Sequence, residues 1–206
     1  MNVVRLTDNR VSALEALARF YFLVPKQFLR LGITTDRSNL SKRVLAPLIE
    51  HSPALIQCAN VGPTKVYALT RSGAEMMSQH LCVERLPFPP KIRYERDLEH
   101  RVGCIDFLIE LWSWASSCQV RIDFVRPYYR FYPNQKAKTN FRSLTRHDLP
   151  HGFLVSDLDF RLSFPDGQKR LYTFEYHRVP RIADIMTELE RHLYALLHGC
   201  LLYTSD

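Results

Sequence analysis

No apolar run in this chain of 206 residues is long enough to span a bilayer, and its N-terminus carries no signal-peptide pattern. The expectation is a cytoplasmic protein with no membrane partner. Cysteine is scarce and unpatterned. Cys58, Cys82, Cys104, Cys118 and Cys200 are odd in number and form no CxxC pair. That argues against a disulfide framework or a zinc knuckle and for reduced thiols. Glycine is scarce too, with seven residues and no Gly-rich phosphate loop. Acidic residues are outnumbered: 28 Lys and Arg stand against 21 Asp and Glu, a net charge of +7. An excess of this size fits a polyanion partner. Many basic proteins bind none, so the distribution of charge has to decide.

The first half is patterned as short helices and a hairpin. Thr7 and Asp8 form an N-cap pair for a helix over 7–23, with Val11, Leu14, Leu17, Ala18 and Tyr21 on one apolar face. A second helix is expected over 25–31, with Pro25 in its first turn and Gly32 at its stop. Thr34, Thr35 or Asp36 caps a third, in which Leu40, Val44 and Leu48 form the inward stripe. Pro47 is expected to kink or shorten that helix near residue 46. Strands over 54–59 and 64–69 flank the turn Asn60-Val61-Gly62-Pro63, and Thr70 caps a fourth helix over 71–81. This is the element order of a winged helix-turn-helix. Its third helix would offer Arg37, Ser38, Asn39, Ser41, Lys42 and Arg43 to base edges and phosphates, and its hairpin tip would offer Lys65 to the DNA backbone. Residues 1–90 hold eleven Lys and Arg against six Asp and Glu, a net of +5. DNA is the expected partner, and protein contact or dimerisation is the competing use of such a domain.

Leu86-Pro87-Phe88-Pro89-Pro90-Lys91 has three prolines in four residues and is expected to be a stiff linker. The expected organisation is a first domain over 1–85, a linker over 86–92 and a second domain over 93–199. Residues 93–117 form a long amphipathic helix pattern, with Leu98, Val102, Ile105, Ile109 and Trp112 on one face and Glu95 and Glu99 on another. After a strand over 119–126, the segment 126–147 carries Arg126, Arg130, Lys136, Lys138, Arg142 and Arg146 and no acid. Tyr128, Tyr129, Phe131, Tyr132 and Phe141 are interleaved. Cations track phosphates and aromatic rings stack on unpaired bases, so duplex DNA with a single-stranded region suits this composition. A solvated hairpin is the competing reading.

Two more strands are expected, 154–164 and 170–177, joined by the turn Pro165-Asp166-Gly167. In the first, Leu154, Leu158, Phe160, Leu162 and Phe164 alternate with Val155, Asp157, Asp159 and Arg161. In the second, Leu171, Thr173, Glu175 and His177 share a face. Antiparallel pairing would bring Asp157 or Asp159 to Glu175. Two carboxylates held together repel unless a cation neutralises them, and Mg²⁺ or Mn²⁺ does so with oxygen ligands. Asp159 has a plainer reading as a solvent-facing strand residue. A helix over 181–197 is expected to cover the sheet.

Helix, three strands and helix, with acids on the second and third strands, is the layout of the PD-(D/E)XK nuclease fold. The expected class is therefore α+β: a winged helix-turn-helix followed by a restriction-endonuclease-like α/β domain with an αβββα core. Leu98-Glu99-His100-Arg101-Val102, Ser156-Asp157-Leu158-Asp159-Phe160 and Thr173-Phe174-Glu175 resemble the replication-relaxation family, which includes the MOBC-type relaxases of mobilisable plasmids. The resemblance runs over residues 5–197. It implies a DNA-binding, metal-dependent DNA-nicking protein of plasmid or phage replication or mobilisation, with a second copy or relaxosome-type proteins as further partners. It implies Asp157 and Glu175 as catalytic and metal-binding acids and Glu99 as the third metal ligand. It places His177 where this fold usually keeps a catalytic lysine. That departure leaves two functions open: imidazole-assisted cleavage, or a non-catalytic DNA-binding regulator built on a degenerate nuclease fold.

The last seven residues, Cys200-Leu201-Leu202-Tyr203-Thr204-Ser205-Asp206, match the in-frame translation of a transposase-end sequencing adapter. The expectation is that 200–206 are an artefact and that the native chain continues past about residue 199, leaving the core truncated. A natural apolar tail is the alternative.

Overall fold

The computed structural model describes residues 5–89, 92, 97–129, 145–150, 152–177 and 182–197. They form a mixed α+β structure with small antiparallel sheets. The chain divides into two compact units, Met1–Ile109 and Glu110–Asp206.

The first unit begins with α1 (Asp8–Phe20) and α2 (Pro25–Arg30). Next come α3 (Arg37–Asn39), a wide π-type turn (Leu40–Leu45) and α4 (Ala46–Glu50), which read as one helical segment. Strands β1 (Ile56–Val61) and β2 (Thr64–Leu69) then pair as a hairpin, and α5 (Arg71–His80) follows. The start of α6 (Leu98–Ser117) completes the unit. Leu14, Leu17, Phe20, Phe28, Leu40, Leu45, Leu48 and Val66 are buried. Asp36 is the cap of α3: its Oδ1 accepts the Asn39 N–H at 2.8 Å. Asp106 on α6 accepts from Lys26 Nζ at 3.0 Å, from Arg30 Nη1 at 2.8 Å and from buried Gln27 Nε2 at 2.8 Å, tying α2 to the start of α6.

Pro47 does not end its helix. Proline has no N–H to give the carbonyl four residues back, and its ring crowds that carbonyl. The turn before it widens instead, with the Ala46 N–H bonded to Ser41 O, one residue farther back than in an α-helix. The orphaned carbonyl is that of Arg43, and Arg10 Nε of α1 donates to it at 3.0 Å. A partner 33 residues away in sequence thus lets the helical segment run on to Glu50.

The second unit takes the rest of α6, then β3 (Arg121–Pro127), β4 (Arg146–Leu149), β5 (Gly152–Val155), β6 (Leu158–Ser163), β7 (Lys169–Phe174) and α7 (Ile182–Leu197). Its sheet is antiparallel in the order β3-β6-β7, and β4-β5 is a separate hairpin. Three expectations are corrected. The strand expected over 154–164 is two strands, broken at Ser156-Asp157, where Ser156 N–H bonds Thr145 O and Tyr128 N–H bonds Asp157 O. The strand expected over 170–177 stops at Phe174, because β6 offers no ladder partner beyond Leu158. The Tyr176 N–H goes instead to the Asp157 carboxylate, at 2.7 Å. Finally, α7 does not turn its apolar stripe inward: Ile182, Met186, Leu189, Leu193 and Leu197 are exposed, and Ala195 packs on Leu154 and Leu149.

Asp123 sits where the β3-β6 register slips by one residue, between Ile122 and Phe124. A bulge residue has no ladder partner, and this one uses its side chain instead. It accepts from Arg161 Nε at 2.9 Å and Ser163 Oγ at 2.8 Å across the sheet, and from Arg121 Nε at 2.9 Å. Burial pushes its carboxyl pKa up, but the Ser163 hydroxyl and the Arg121 and Arg161 guanidiniums outweigh that and hold it below the usual value. A depressed folded pKa means that the stabilisation is complete above the unfolded carboxyl's pKa, about 4, and is lost as pH falls through the folded value. Asp123→Asn should lower the urea midpoint at neutral pH, with the gap from wild type closing in acid. A gap that stays constant down to the acid limit would count against this role.

Candidate functional site

Two surfaces carry the residues that sequence reasoning singled out. The first lies on the helical segment from Arg37 to Glu50. Leu40, Val44, Leu45 and Leu48 are buried, whereas Arg37, Ser38, Asn39, Ser41, Lys42 and Arg43 are all exposed. Heptad-like spacing makes this division, since residues three and four apart share a face. Asn39 is partly committed: its amide donates to the Asp36 carboxylate that caps the segment. Lys65 is exposed on β2 and lies opposite Asn60 in the hairpin.

The second lies at one end of the β6-β7 ladder, within the second unit. Leu158 pairs with Phe174 at the end of the ladder, so Asp157 comes just before, and Glu175 just after, the last register pair. Asp157 Oδ2 is held by the Tyr176 N–H at 2.7 Å. Glu175 Oε1 is 2.9 Å from His192 Nε2, on α7. The carboxylate accepts, so Nε2 carries the hydrogen, and His192 Nδ1 is buried with no hydrogen-bond partner among the described residues. His177, expected to stand in the place of a catalytic lysine, is exposed just past the strand. Sequence reasoning missed His192. Its signal was a histidine on an amphipathic helix shortly after the motif strand.

Asp159 is fully buried, which overturns its reading as a solvent-facing residue. Its Oδ1 accepts from Ser156 Oγ at 2.5 Å and its Oδ2 from His147 Nε2 at 3.0 Å. His147 and Ser156 are buried as well, and Thr145 Oγ1 donates to Ser156 O at 2.5 Å. This network knits the β4-β5 hairpin to the middle strand at the break before β6. A buried carboxylate persists only when such donors replace its lost hydration.

Arg126 lies on β3 opposite Asp159 in register, with its guanidinium 4.6 Å from the centre of the Phe124 ring. Glu99 is exposed near the start of α6. Arg130, Lys136, Lys138 and Arg142 lie outside the described residues. No described helix is long and apolar enough to cross a membrane.

No family model matches the chain, and neither a curated protein nor a solved structure matches it.

Proposed function

We propose that this chain is a DNA-binding protein of replication or mobilisation whose first unit acts as a winged helix-turn-helix. One observation carries the reading: over Arg37–Leu48 the cationic and small polar side chains are exposed while the aliphatic ones are buried. That leaves a helix surface of donors and positive charge, next in sequence to a two-stranded hairpin bearing Lys65. Phosphates take the cations, and base edges take serine and asparagine. Lys42→Ala with Arg43→Ala should weaken duplex binding by about tenfold and lower the salt slope by about two, because two phosphate contacts go. Fluorescence anisotropy across a salt series reads both. A slope identical to wild type would sink the assignment.

The resemblance to the replication-relaxation family extends the proposal to metal-dependent nicking. Asp157 and Glu175 offer oxygen donors only, which suits Mg²⁺ or Mn²⁺. Such an ion, when bound, supplies an activated water and charge stabilisation at phosphorus. The chain's own part is orientation: the Tyr176 N–H fixes Asp157, and His192 fixes Glu175. The expected result is Mn²⁺-dependent nicking of a supercoiled plasmid carrying the cognate site, lost in Asp157→Ala with Glu175→Ala. The pairing of Glu175 with His192 also favours a second reading, a non-catalytic regulator. It predicts duplex binding that EDTA leaves unchanged and no nicking with any divalent ion.

A further inference from the structure

A cavity of about 430 Å³ opens in the second unit between the β4-β5 hairpin and α7, lined by Leu149, Gly152, Phe153, Thr187, Glu190, Arg191 and Tyr194. Its size is in the range that takes a small organic group. Its lining is divided by chemistry. Leu149, Phe153 and Tyr194 supply apolar and aromatic surface, while Thr187, Glu190 and Arg191 supply polar groups from the helix. Phe153 is the unusual member. It is 49% exposed, a large apolar ring left open to solvent, and the Arg146 guanidinium lies 4.0 Å from its ring centre. Arg146 is itself held by Asp148, at 2.9 Å. A ring clamped by a guanidinium is a rigid platform, because cation–π stacking limits its rotation. Gly152, beside it, keeps that part of the wall free of any side chain.

We infer that this cavity takes a single unstacked nucleobase of a single-stranded segment, with Phe153 as the stacking platform. A base has a flat apolar face, a hydrogen-bonding edge and an attached phosphate. Phe153 and Tyr194 suit the face, Glu190 an exocyclic amine and Arg191 the phosphate. An aliphatic ligand would leave Glu190 and Arg191 unused, and a free phosphate would leave the rings unused. The chain's net charge of +7 draws polyanions rather than neutral aromatics. The inference rests on the DNA-binding reading and adds a site to it: a pocket in the second unit for one unpaired base.

The test uses the full chain and two labelled probes, a blunt duplex and the same duplex with a short single-stranded adenine tail. The tail carries a fluorescent adenine analogue that is quenched on stacking. Wild type should bind the tailed probe about tenfold or more tighter than the blunt one, the gain expected of one stacked base, with quenching. Phe153→Leu keeps an apolar side chain but removes the ring. It should lose both the added affinity and the quenching while binding the blunt duplex as wild type does, with an unchanged far-UV circular dichroism spectrum. If wild type binds both probes equally, this inference fails and duplex binding stands. Quenching that persists in Phe153→Leu places the base elsewhere and also overturns it. If neither probe binds, the DNA-binding reading fails first and takes the inference with it.

Discussion

Gly73→Ala is expected to unfold the first unit or cost it about 3 kcal/mol or more, since overpacking against atoms that cannot yield lies at the severe end of core substitutions. A β-carbon on Gly73 would stand 1.9 Å from Leu55 O and 2.9 Å from Leu55 C. Both are backbone atoms, so no rotamer change relieves the clash. Nor can the backbone retreat, because the neighbouring bonds pin it. Thr70 N–H bonds that same Leu55 O at 3.0 Å, Thr70 Oγ1 donates to Ala54 O at 2.5 Å, and the Gly73 N–H donates to Thr70 Oγ1 at 3.1 Å. The first turn of α5 is therefore docked on the chain leading into β1, and glycine is what allows the approach. Gly62→Ala is the control. Its φ is +57 with nothing within 4 Å of the added carbon, so it should cost only the left-handed penalty of about 1–2 kcal/mol. Urea denaturation followed by circular dichroism separates the two. Equal costs at both positions would show that the close approach at Leu55 is not what Gly73 serves.

Asp159→Ala is expected to destabilise the second unit by about 3–5 kcal/mol, the range for removing one partner of a buried ionic or hydrogen-bonded pair. The loss is larger than one hydrogen bond because this carboxylate accepts from two buried donors, His147 Nε2 and Ser156 Oγ, and both lose that acceptor. Asp159→Asn keeps the volume but turns one acceptor into a donor facing a donor, so it should fall between wild type and alanine. The decisive variant is the triple Asp159→Ala, His147→Leu, Ser156→Ala. Removing every member of a buried polar network together costs far less than removing its acceptor alone. Stability in the triple variant should therefore recover much of what the single one loses. A triple variant less stable than Asp159→Ala would mean that Asp159 is held by something other than this network.

Local patterns were readable wherever the chain decides for itself. Capping residues and apolar spacing placed the helices and the hairpin of the first half, and Leu40, Val44 and Leu48 are buried as their spacing predicts. The Pro165-Asp166-Gly167 turn stands between β6 and β7, with Gly167 at φ +84. The antiparallel pairing expected of these two strands is present, from Leu158↔Phe174 to Ser163↔Lys169. What failed were the places where a distant residue intervenes. Alternation could not show that Asp159 is buried, because burial became tolerable only through His147, twelve residues earlier, and Ser156. Nor could proline rules show the outcome at Pro47, since the Arg43 carbonyl is satisfied from α1.

The amino-acid sequence alone determined where the helices of the first half lie, that β1 pairs with β2 and β6 with β7 as hairpins, and that cations and small polar residues share the outer face of the Arg37–Glu50 segment. These follow from backbone propensity and from periodicities of 3.6 and 2, which act over a few residues. Only the tertiary structure decided which polar groups were desolvated and what compensates them: His192 at Glu175, the Tyr176 N–H at Asp157, the buried Asp159 network, and the exposed stripe of α7. The physical reason is that a buried polar atom must find a partner wherever the fold brings one, and that partner's place in the sequence obeys no local rule.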